Sequence, residues 1–263
     1  MSDETNGPVP FDSPAVERGM GFFETVLLVG RSAVLFAAHA ERLLATLRRF
    51  DLPAPAPEGL LEGSKRAAHG LADDGTERAL RLSWIAVGSD LDDAASWRLD
   101  ASVRAIPATT LARRNGAHAI TLSADLQRDT PGMKSTSYAS AVLALREARR
   151  HGADEGLFVT ASGSYLEGAS TGLVAVTPEG WFAAEGAALP SVTVAAFLGD
   201  GLLRRPLREI DLRAGSVLLG SLTLAAPLVT LDASPCAVPA ALVDRIATFN
   251  LRLREDPAIA TAL

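Results

Sequence analysis

The first third of the chain begins with β-type runs followed by one helical stripe. In FFETVLLVGRSAVLF, residues 22–36, two apolar runs meet at Gly30-Arg31, a pattern that predicts a β-hairpin. The next run, HAERLLATLRRF, predicts an amphipathic helix that ends before Pro53. Four apolar residues share its predicted buried face: Leu43, Leu44, Leu47 and Phe50.

The elements after that helix complete a small unit. The pattern predicts a loop over residues 54–59, a short helix over 60–71, and strands over 79–87 and 97–106 with the acidic turn GSDLDD between them. We therefore expect a small N-terminal α+β domain over residues 1–106.

The chain changes character after this unit. The stretch PATTLARRN interrupts the strand pattern with a proline and a basic pair, which predicts an interdomain linker over residues 107–116 and a larger domain over 117–263. The larger domain opens with a predicted amphipathic helix from Ser135 to His151. The residues expected on its buried face are Tyr138, Val142 and Leu145.

The rest of the larger domain alternates short apolar runs with turns. EGLFVTASGSYLEGASTGLVAVTPEGWFAA predicts three short strands, and LPSVTVAAF predicts a loop that enters a helix. The segment Ala214–Leu231 has no charge and is a marginal candidate for a membrane span. Its glycines, hydroxyl residues and proline favour two buried strands joined by a tight turn instead. A last helix is predicted over Ala240–Arg254.

Composition and charge are those of an ordinary globular protein. The 263 residues are 48% hydrophobic and 21% charged, with a net charge of −6. Nucleic acid is excluded as a partner because a polyanion requires a basic face. The single cysteine, Cys236, can form no internal disulfide, and the acidic, Pro-rich N-terminus has no signal-peptide pattern. We therefore expect a soluble, cytoplasmic protein without a membrane segment.

One lysine is a candidate for covalent chemistry. Lys134 is the only Lys or Arg between Arg128 and Arg146, at the start of the predicted helix. The helix dipole disfavours a cation there by roughly 0.3–1 kcal/mol. Such a position favours the neutral amine, which is the form that attacks an aldehyde to give a Schiff base. Taken alone, the residue is better explained as a solvated surface charge.

Three polar features downstream are candidate partners of that lysine. Glu167 is a solitary carboxylate in an apolar strand-like run, where it needs a cationic or protonated partner. Ser191 and Thr193 lie at a predicted helix entry that suits a phosphate, and Ser221 and Thr223 lie in the turn of GSLTL. Each feature also has a plain explanation: a strand-edge residue facing water, ordinary helix capping, or a polar turn.

The order and spacing of these motifs resemble the class IV aminotransferases, the pyridoxal-phosphate enzymes of fold type IV. That family includes branched-chain and D-amino-acid aminotransferases and aminodeoxychorismate lyase. The resemblance covers residues 17–232, and its strongest block is KSTSYASAVLALREARRHGADEGLFVTASGSYLEGASTGLVAV. HAERL, LPSVT and GSL recur at the expected places. The resemblance implies a two-domain α+β protein, with a small N-terminal α+β domain and a larger C-terminal pseudo-barrel α/β domain. It also implies a homodimer, with pyridoxal 5'-phosphate in a cleft between the domains.

The resemblance assigns a role to each motif. Lys134 matches the lysine that forms the Schiff base and then moves a proton, and Glu167 resembles the carboxylate that pairs with the pyridine nitrogen. Arg42, in HAERL, looks like the arginine that anchors the phosphate, and Tyr138 resembles the tyrosine near the phenolic oxygen. His39 is expected either to be a packing residue or to support a residue that contacts the cofactor. The remaining matches are backbone sites for the phosphate: Val192 and Thr193 at the helix entry, and Ser221 and Leu222 in the second loop.

The chain departs from the family pattern where a substrate is recognised. No Tyr-Gly-Asp-Gly stretch precedes FET, and the strand ALRLSWIAVG lacks the arginine that commonly precedes its last glycine. Ser191 and Val194 replace the glycine and arginine of a Pro-Gly-Ile-Thr-Arg turn, and Gly172 stands where asparagine is common. The candidates for binding a substrate carboxylate are Arg81, Arg113 and Arg114.

Three functions are compatible with these residues. The leading expectation is an aminotransferase that moves an amino group between an amino acid and a 2-oxo acid. An aminodeoxychorismate lyase, which releases pyruvate to give 4-aminobenzoate, is the alternative. The short chain favours either this lyase or a D-amino-acid type over the longer branched-chain type. A non-catalytic pyridoxal-phosphate-binding protein is the third reading, although the presence of both Lys134 and Glu167 argues against it.

Overall fold

The computed structural model describes residues 7–263, whose helices and strands are as follows. The α-helices are α1 (Pro14–Arg18), α2 (Phe36–Arg49), α3 (Pro57–Ala67), α4 (Ala108–Arg113), α5 (Ala139–Arg150), α6 (Val192–Leu198), α7 (Glu209–Ala214) and α8 (Ala240–Glu255). The strands are β1 (Gly21–Val29), β2 (Ser32–Val34), β3 (Glu77–Ala86), β4 (Trp97–Ala105), β5 (Ala117–Thr121), β6 (Glu155–Val159), β7 (Tyr165–Gly168), β8 (Gly172–Thr177), β9 (Gly180–Ala184), β10 (Leu203–Arg205), β11 (Ser216–Gly220), β12 (Leu224–Leu231), β13 (Ser234–Pro235) and β14 (Ala260–Ala262).

The chain forms two compact units, and neither is continuous in sequence. The first comprises the residues up to Ala105, Met133–Tyr138 and Pro257–Leu263, and the second comprises Ile106–Gly132 and Ala139–Asp256. The two short segments belong to the first unit because they pair with its strands. Ser135 forms an antiparallel bridge with Phe22, and β14 pairs with β2. The division expected from the sequence has contiguous domains, and it assigns residues 133–138 and 257–263 to the second domain.

A five-stranded antiparallel sheet, in the order β14-β2-β1-β3-β4, forms the centre of the first unit. The predicted hairpin is confirmed, since Val29 pairs with Ser32 across Gly30-Arg31. Side chains alternate across β1 and β3, and one face of the sheet packs against α2 and α3. The buried residues of that face include Phe22, Val26, Leu28, Leu80 and Leu82.

The helices of the first unit differ from prediction at their ends. α2 ends at Arg49 as Pro53 predicts, but Phe50 is 45% exposed and does not belong to the buried stripe. α3 begins at Pro57, inside the predicted loop, because proline has the helical φ and lacks only an N–H that the first helical turn leaves unpaired.

The second unit contains a mixed sheet in the order β10-β9-β8-β11-β12-β5-β6-β7, with β13 paired to β12. β5 is parallel to both of its neighbours. The uncharged segment forms β11 and β12, which pair across the turn at residues 221–223 as predicted. No helix of the described residues 7–263 is long and apolar enough to cross a membrane. Residues 155–184 form four strands where three were predicted, since Ala169–Thr171 separates β7 from β8.

The predicted lysine helix is wrong at its start. α5 begins at Ala139, and Lys134 lies five residues before it in an extended segment. The reason is that the backbone of this segment pairs with β1. The Phe23 amide donates to the Lys134 carbonyl at 2.9 Å, and the Thr136 amide donates to the Gly21 carbonyl at 2.8 Å. Lys134 is therefore outside the first turn of α5, and the helix dipole does not disfavour its charge.

The predicted buried face of α5 is also wrong. Val142 is 57% exposed, and the face turned to the core consists of Ser140, Ala141, Ala144 and Ala148. Small residues are required because the helix backbone runs close to β6. A Cβ added at Gly156 would lie only 3.1 Å from the Ala144 carbonyl oxygen.

Candidate active site

Lys134 is held at the start of β1 by its own backbone. Besides the two strand-type hydrogen bonds, the Thr136 hydroxyl donates to the Gly19 carbonyl at 2.7 Å. The backbone is thus fixed at Lys134 and over the two residues that follow it, so the side chain starts from a defined point. That is the condition for an amine to reach one particular atom repeatedly.

Three polar side chains surround the ring of the buried Phe23. The Nζ atom of Lys134 lies 4.7 Å from the ring centroid, and Cζ of Arg81 lies 3.8 Å from it. The Tyr138 ring meets the Phe23 ring edge-on, with centroids 5.3 Å apart at 83°. The structure therefore places Lys134 and Tyr138, both expected at the cofactor, against the same ring.

Arg42 lies in a buried network on the other face of the same sheet. Its Nε donates to Oε1 of Glu24 at 2.8 Å and its Nη2 donates to Oε2 at 2.5 Å, a bidentate pair. Nδ1 of His39 lies 2.7 Å from the same Oε2. Glu24 and His39 are both only 1% exposed. Of the two roles expected for His39, the supporting one agrees with this geometry, because His39 contacts the carboxylate that holds Arg42.

The electrostatics of this network are those of an ionised carboxylate between two partners. Burial acts to raise the pKa of Glu24, but the attraction of Arg42 and the hydrogen bond with His39 lower it from 4.5 to about 2. Burial lowers the pKa of His39 despite its bond to Glu24. Glu24 is thus ionised at neutral pH and holds the Arg42 guanidinium in one plane.

Glu167 lies in β7, in the second unit, and is 4% exposed. Nε of Arg128 donates to its Oε1 at 2.6 Å, and the amide of Leu189 donates to the same oxygen at 3.2 Å. The Arg128 guanidinium also lies 5.3 Å from the Phe158 ring centroid. The expectation of a buried carboxylate with a cationic partner is met, and the explanation as a water-facing edge residue is excluded.

The predicted phosphate residues lie at the start of α6 and in the turn between β11 and β12. The Ser191 hydroxyl accepts from the Val194 amide at 3.2 Å and caps α6. The amides of Val192 and Thr193 belong to the first helical turn, whose N–H groups have no partner within the helix. In the turn, Nε and Nη2 of Arg114 donate to the Leu222 carbonyl at 3.0 and 2.6 Å.

The departures at Gly172 and Val194 are spatially coupled. A Cβ added at Gly172 would lie 2.5 Å from Cγ2 of Val194 and 3.1 Å from Cβ of Ser191. Val194 is buried and fills the space next to the glycine. The side chain commonly found at position 172 is therefore missing because a residue at the start of α6 occupies its place.

Of the three arginines considered for a substrate carboxylate, two have structural roles. The Arg113 guanidinium is buried, and it bonds the Glu155 carboxylate at 3.1 Å and the Ser170 hydroxyl at 2.9 Å. Glu155 in turn accepts from the Thr171 hydroxyl at 3.1 Å, so this network fixes the turn after β7. Arg114 donates to the Leu222 carbonyl. Arg81 is therefore the one of the three candidates that these structural contacts do not involve.

Sequence reasoning missed two charged residues of the site. Glu24 lies in the FET triplet. A lone acid in an apolar strand needs a buried partner, so the sequence alone was sufficient to mark Glu24 as a candidate. Arg128 precedes the lysine in a stretch with no regular pattern, so nothing local indicates that it pairs with Glu167, 39 residues later.

Comparison with known proteins places the chain in a family. The model of the class IV amino-transferases matches residues 21–229, and the chain belongs to that family. The bifunctional aminodeoxychorismate lyase / D-amino acid transaminase of Mycobacterium tuberculosis (strain ATCC 25618 / H37Rv) is 33% identical over 248 residues, covering 84% of this chain and 85% of the relative.

Solved structures agree with that assignment. A hypothetical aminotransferase from Mycobacterium tuberculosis in its PLP-bound form has a TM-score of 0.83 and 28% identity, over 96% of this chain and 95% of that chain. Its α-ketoglutarate and PMP bound form also has a TM-score of 0.83, at 29% identity over 97% and 96% of the two chains. The branched-chain aminotransferase of Thermoproteus uzoniensis, at 19% identity and a TM-score of 0.81 over 99% and 96% of the two chains, shares the fold.

These comparisons confirm the family, the two-domain α+β fold of type IV and the use of pyridoxal 5'-phosphate as cofactor. The protein is therefore a pyridoxal-phosphate-dependent enzyme of the class IV aminotransferase family.

Proposed function

We propose that this enzyme transfers an amino group between an amino acid and a 2-oxo acid, with Lys134 as its catalytic residue. The observation that carries the proposal is the placement of the Lys134 amine against Phe23 on a segment whose backbone is fixed to β1. A merely solvated lysine needs no such fixation.

The residues present fit pyridoxal phosphate by their chemistry. When bound, this cofactor supplies an aldehyde and a conjugated ring that accepts the electron pair of the substrate Cα–H bond. Nζ of Lys134 would condense with the aldehyde, releasing water, and once a substrate amine displaces it, it would remove and return the proton at the substrate α-carbon. The Glu167 carboxylate, oriented by Arg128 and the Leu189 amide, would hold a proton at the ring nitrogen. The Tyr138 hydroxyl would bond the phenolic oxygen.

The phosphate is assigned to one guanidinium and two backbone sites. The guanidinium is that of Arg42, whose orientation is fixed by its two hydrogen bonds to the Glu24 carboxylate. The Val192 and Thr193 amides lie in the first turn of α6. Ser221 and Leu222 form the second site, whose turn is braced by Arg114.

The first experiment tests the covalent link. The chain has two lysines, Lys65 and Lys134, and Lys65 is an exposed residue paired with Glu62, which makes it a matched control. With added pyridoxal phosphate, the wild type and Lys65→Ala should show a visible absorbance band that borohydride abolishes, and mass spectrometry should find the reduced cofactor on the peptide of Lys134. Lys134→Ala should show neither. A label on Lys65 alone would contradict the proposal.

The lyase activity is a second candidate, because the 33% identical relative carries both names. It needs the same lysine and differs in expelling pyruvate from aminodeoxychorismate. Parallel assays with an amino acid plus 2-oxoglutarate and with aminodeoxychorismate separate the two. Formation of 4-aminobenzoate without any glutamate would overturn transamination as the main activity.

We also propose a homodimer that works in the cytoplasm. The family resemblance supports the dimer, and the single buried thiol of Cys236 supports a reducing compartment. Light scattering on the purified protein measures the assembly directly, and a mass of 27.4 kDa at micromolar concentration would contradict the dimer.

A further inference from the structure

Two consecutive arginines in the predicted linker contact two different turns of the second unit. Arg113 is the last residue of α4, and Arg114 follows it. The first bonds Glu155 and the turn after β7, and the second bonds the Leu222 carbonyl, in the turn between β11 and β12. One short piece of backbone therefore supplies a guanidinium group to each turn.

The Arg113 contacts converge on a buried carboxylate. Oε2 of Glu155 accepts from Nη1 of Arg113 at 3.1 Å, and Nη2 of Arg113 donates to the Asp154 carbonyl at 2.7 Å. The same carboxylate oxygen accepts from the hydroxyls of Ser170 and Thr171 at 2.6 and 3.1 Å, and from the Ser170 amide at 3.3 Å. Glu155 is 0% exposed, so it depends on these donors in place of water. The network ties the turn after β7 to the start of β6.

This turn directly follows the carboxylate assigned to the ring nitrogen. Glu167 is the third residue of β7, and Gly168 ends the strand. A Cβ added at Gly168 would lie 2.3 Å from Oγ1 of Thr171 and 2.9 Å from Cγ of Glu155. The backbone after Glu167 is therefore packed against the network with no space for a side chain. A displacement of the Glu155 carboxylate would be transmitted to the backbone that carries Glu167.

The Arg114 contacts fix the direction of one carbonyl group. Its Nε and Nη2 both donate to the Leu222 oxygen, at 3.0 and 2.6 Å. Two donors from one planar guanidinium hold an acceptor in a single direction, which a flexible ammonium does not. Because the peptide unit is planar, fixing this carbonyl also fixes the plane of the amide that follows it. Arg114 thus restrains the conformation of the turn that contains Ser221 and Leu222.

The two turns are also in contact with each other. Gly220, the residue before Ser221, lies against the turn after β7: an added Cβ would be 3.4 Å from the Ser170 carbonyl oxygen and 3.6 Å from Cγ2 of Thr171. β11, which ends at Gly220, is paired in the sheet with β8, which begins after the other turn. Once each turn is held by its own arginine, this contact sets the distance between them.

We propose that Arg113 and Arg114 position the two ends of the cofactor relative to each other. Arg113 acts on the ring end, because Glu155 and the turn that it bonds support the Glu167 carboxylate. Arg114 acts on the phosphate end, because it holds the Ser221–Leu222 turn. Both are positioning residues that act through other groups. The inference rests on the proposed roles of Glu167 and of this turn.

The test compares pyridoxal phosphate with pyridoxal, which has the same ring but no phosphate. For the wild type, Arg113→Gln and Arg114→Gln, titration of the cofactor-free protein followed by visible absorbance gives both dissociation constants. Arg114→Gln should raise the constant for pyridoxal phosphate about 10-fold and that for pyridoxal less than about 2-fold. Arg113→Gln should raise both constants by a similar factor of about 10, because both molecules contain the ring.

The controls separate this role from a general loss of stability. Arg114→Lys keeps the charge without the planar pair of donors and should lose less than Arg114→Gln. Arg208→Gln is the matched control, because Arg208 donates to the carbonyl of Ser162 in a different turn, at 2.8 Å, and it should change either constant less than about 2-fold. If Arg113→Gln does not fold, Thr171→Val takes its place, since it removes one hydroxyl of the network and leaves the buried ion pair intact. Thr171→Val should raise both constants by a similar, smaller factor.

Hydrogen exchange of the cofactor-free protein gives a second readout that needs no cofactor. Exchange should become faster chiefly at the amides of residues 221–223 in Arg114→Gln, and chiefly at those of residues 168–171 in Arg113→Gln or its replacement. The proposal is overturned if Arg114→Gln leaves the ratio of the two dissociation constants at its wild-type value, or if both variants speed exchange equally in the two turns. Either result leaves the borohydride label on Lys134 of the wild type, and thus the proposed function, unaffected.

Discussion

The Arg128 guanidinium holds the Glu167 carboxylate and the turn that follows it at the same time. Nε lies 2.6 Å from Oε1 of Glu167, and Nη2 donates to the carbonyls of Gly168 and Ala169 at 3.0 Å each. A single side chain therefore fixes both the direction of the carboxylate and the end of its strand.

Removing Arg128 should destabilise the fold. Arg128→Ala leaves a buried carboxylate without its cation, and we expect the free energy of unfolding to fall by about 3 kcal/mol. Guanidinium chloride unfolding followed by circular dichroism measures it. Arg48→Ala is the control, because its pair with Glu41 is exposed and should be worth less than about 1 kcal/mol. Equal losses of unfolding free energy in the two variants would contradict the prediction that the buried pair of Arg128 and Glu167 stabilises the fold more than the exposed pair does.

The Glu24 network should make the protein sensitive to acid in a defined range. The folded pKa of Glu24 is about 2 and its ordinary value is 4.5, so the unfolded chain binds the proton first as pH falls. The stabilisation is complete above pH 4.5 and is lost toward pH 2, and amounts to about 3 kcal/mol. In Glu24→Gln, the unfolding free energy should depend less on pH below 4.5 than in the wild type. Parallel pH curves would contradict this prediction.

His39 adds a contribution at higher pH. Its folded pKa is lowered from 6.5, so below pH 6.5 the imidazole is protonated in the unfolded chain while it stays neutral in the folded protein. Stability should therefore begin to fall as pH drops below 6.5. In His39→Gln this part of the slope should disappear, as measured by urea unfolding between pH 5 and 7. An unchanged slope would mean that other groups cause it.

Gly172 and Val194 should behave as a coupled pair. Gly172→Ala forces a methyl group against Val194, and we expect a loss of about 1–3 kcal/mol in unfolding free energy. The double variant with Val194→Ala removes the clash, so it should lose less than the sum of the single variants by about 1 kcal/mol. Strict additivity would show that the backbone absorbs the added atom elsewhere.

The small-residue face of α5 can be tested in the same way. Ala144→Leu inserts a large side chain where the helix meets β6 and should cost about 1–3 kcal/mol. Val142→Gln, on the exposed face, should change the unfolding free energy by less than about 0.5 kcal/mol. A larger effect at Val142 would restore the buried face predicted from the sequence.

The sequence predicted elements well where local periodicity decides structure. The hairpin at Gly30-Arg31, α2, α6 and the strand pair of the uncharged segment each follow from the pattern of one continuous stretch of sequence. The motif order also identified the family and its cofactor. These features depend on neighbouring residues along the chain, which a sequence displays directly.

Prediction failed where a distant strand determined the local structure. The residues around Lys134 read as the start of α5, but pairing with β1, more than 100 residues earlier, draws them into an extended form. The buried face of α5 was misjudged for a related reason, because the closeness of β6 selects alanines over larger apolar residues. The partner of Glu167 was missed because Arg128 meets it only through the fold.

The two returning segments of the first unit limit how the protein can be dissected. A fragment that ends near Ala105 would lack β14, leaving the outer edge of β2 open to aggregation. The same fragment would lack the residues 133–138 that pair with β1 and carry the reactive amine. The first unit therefore cannot be excised with a single cut. Any circularly permuted chain must keep residues 133–138 and 257–263 in contact with this unit.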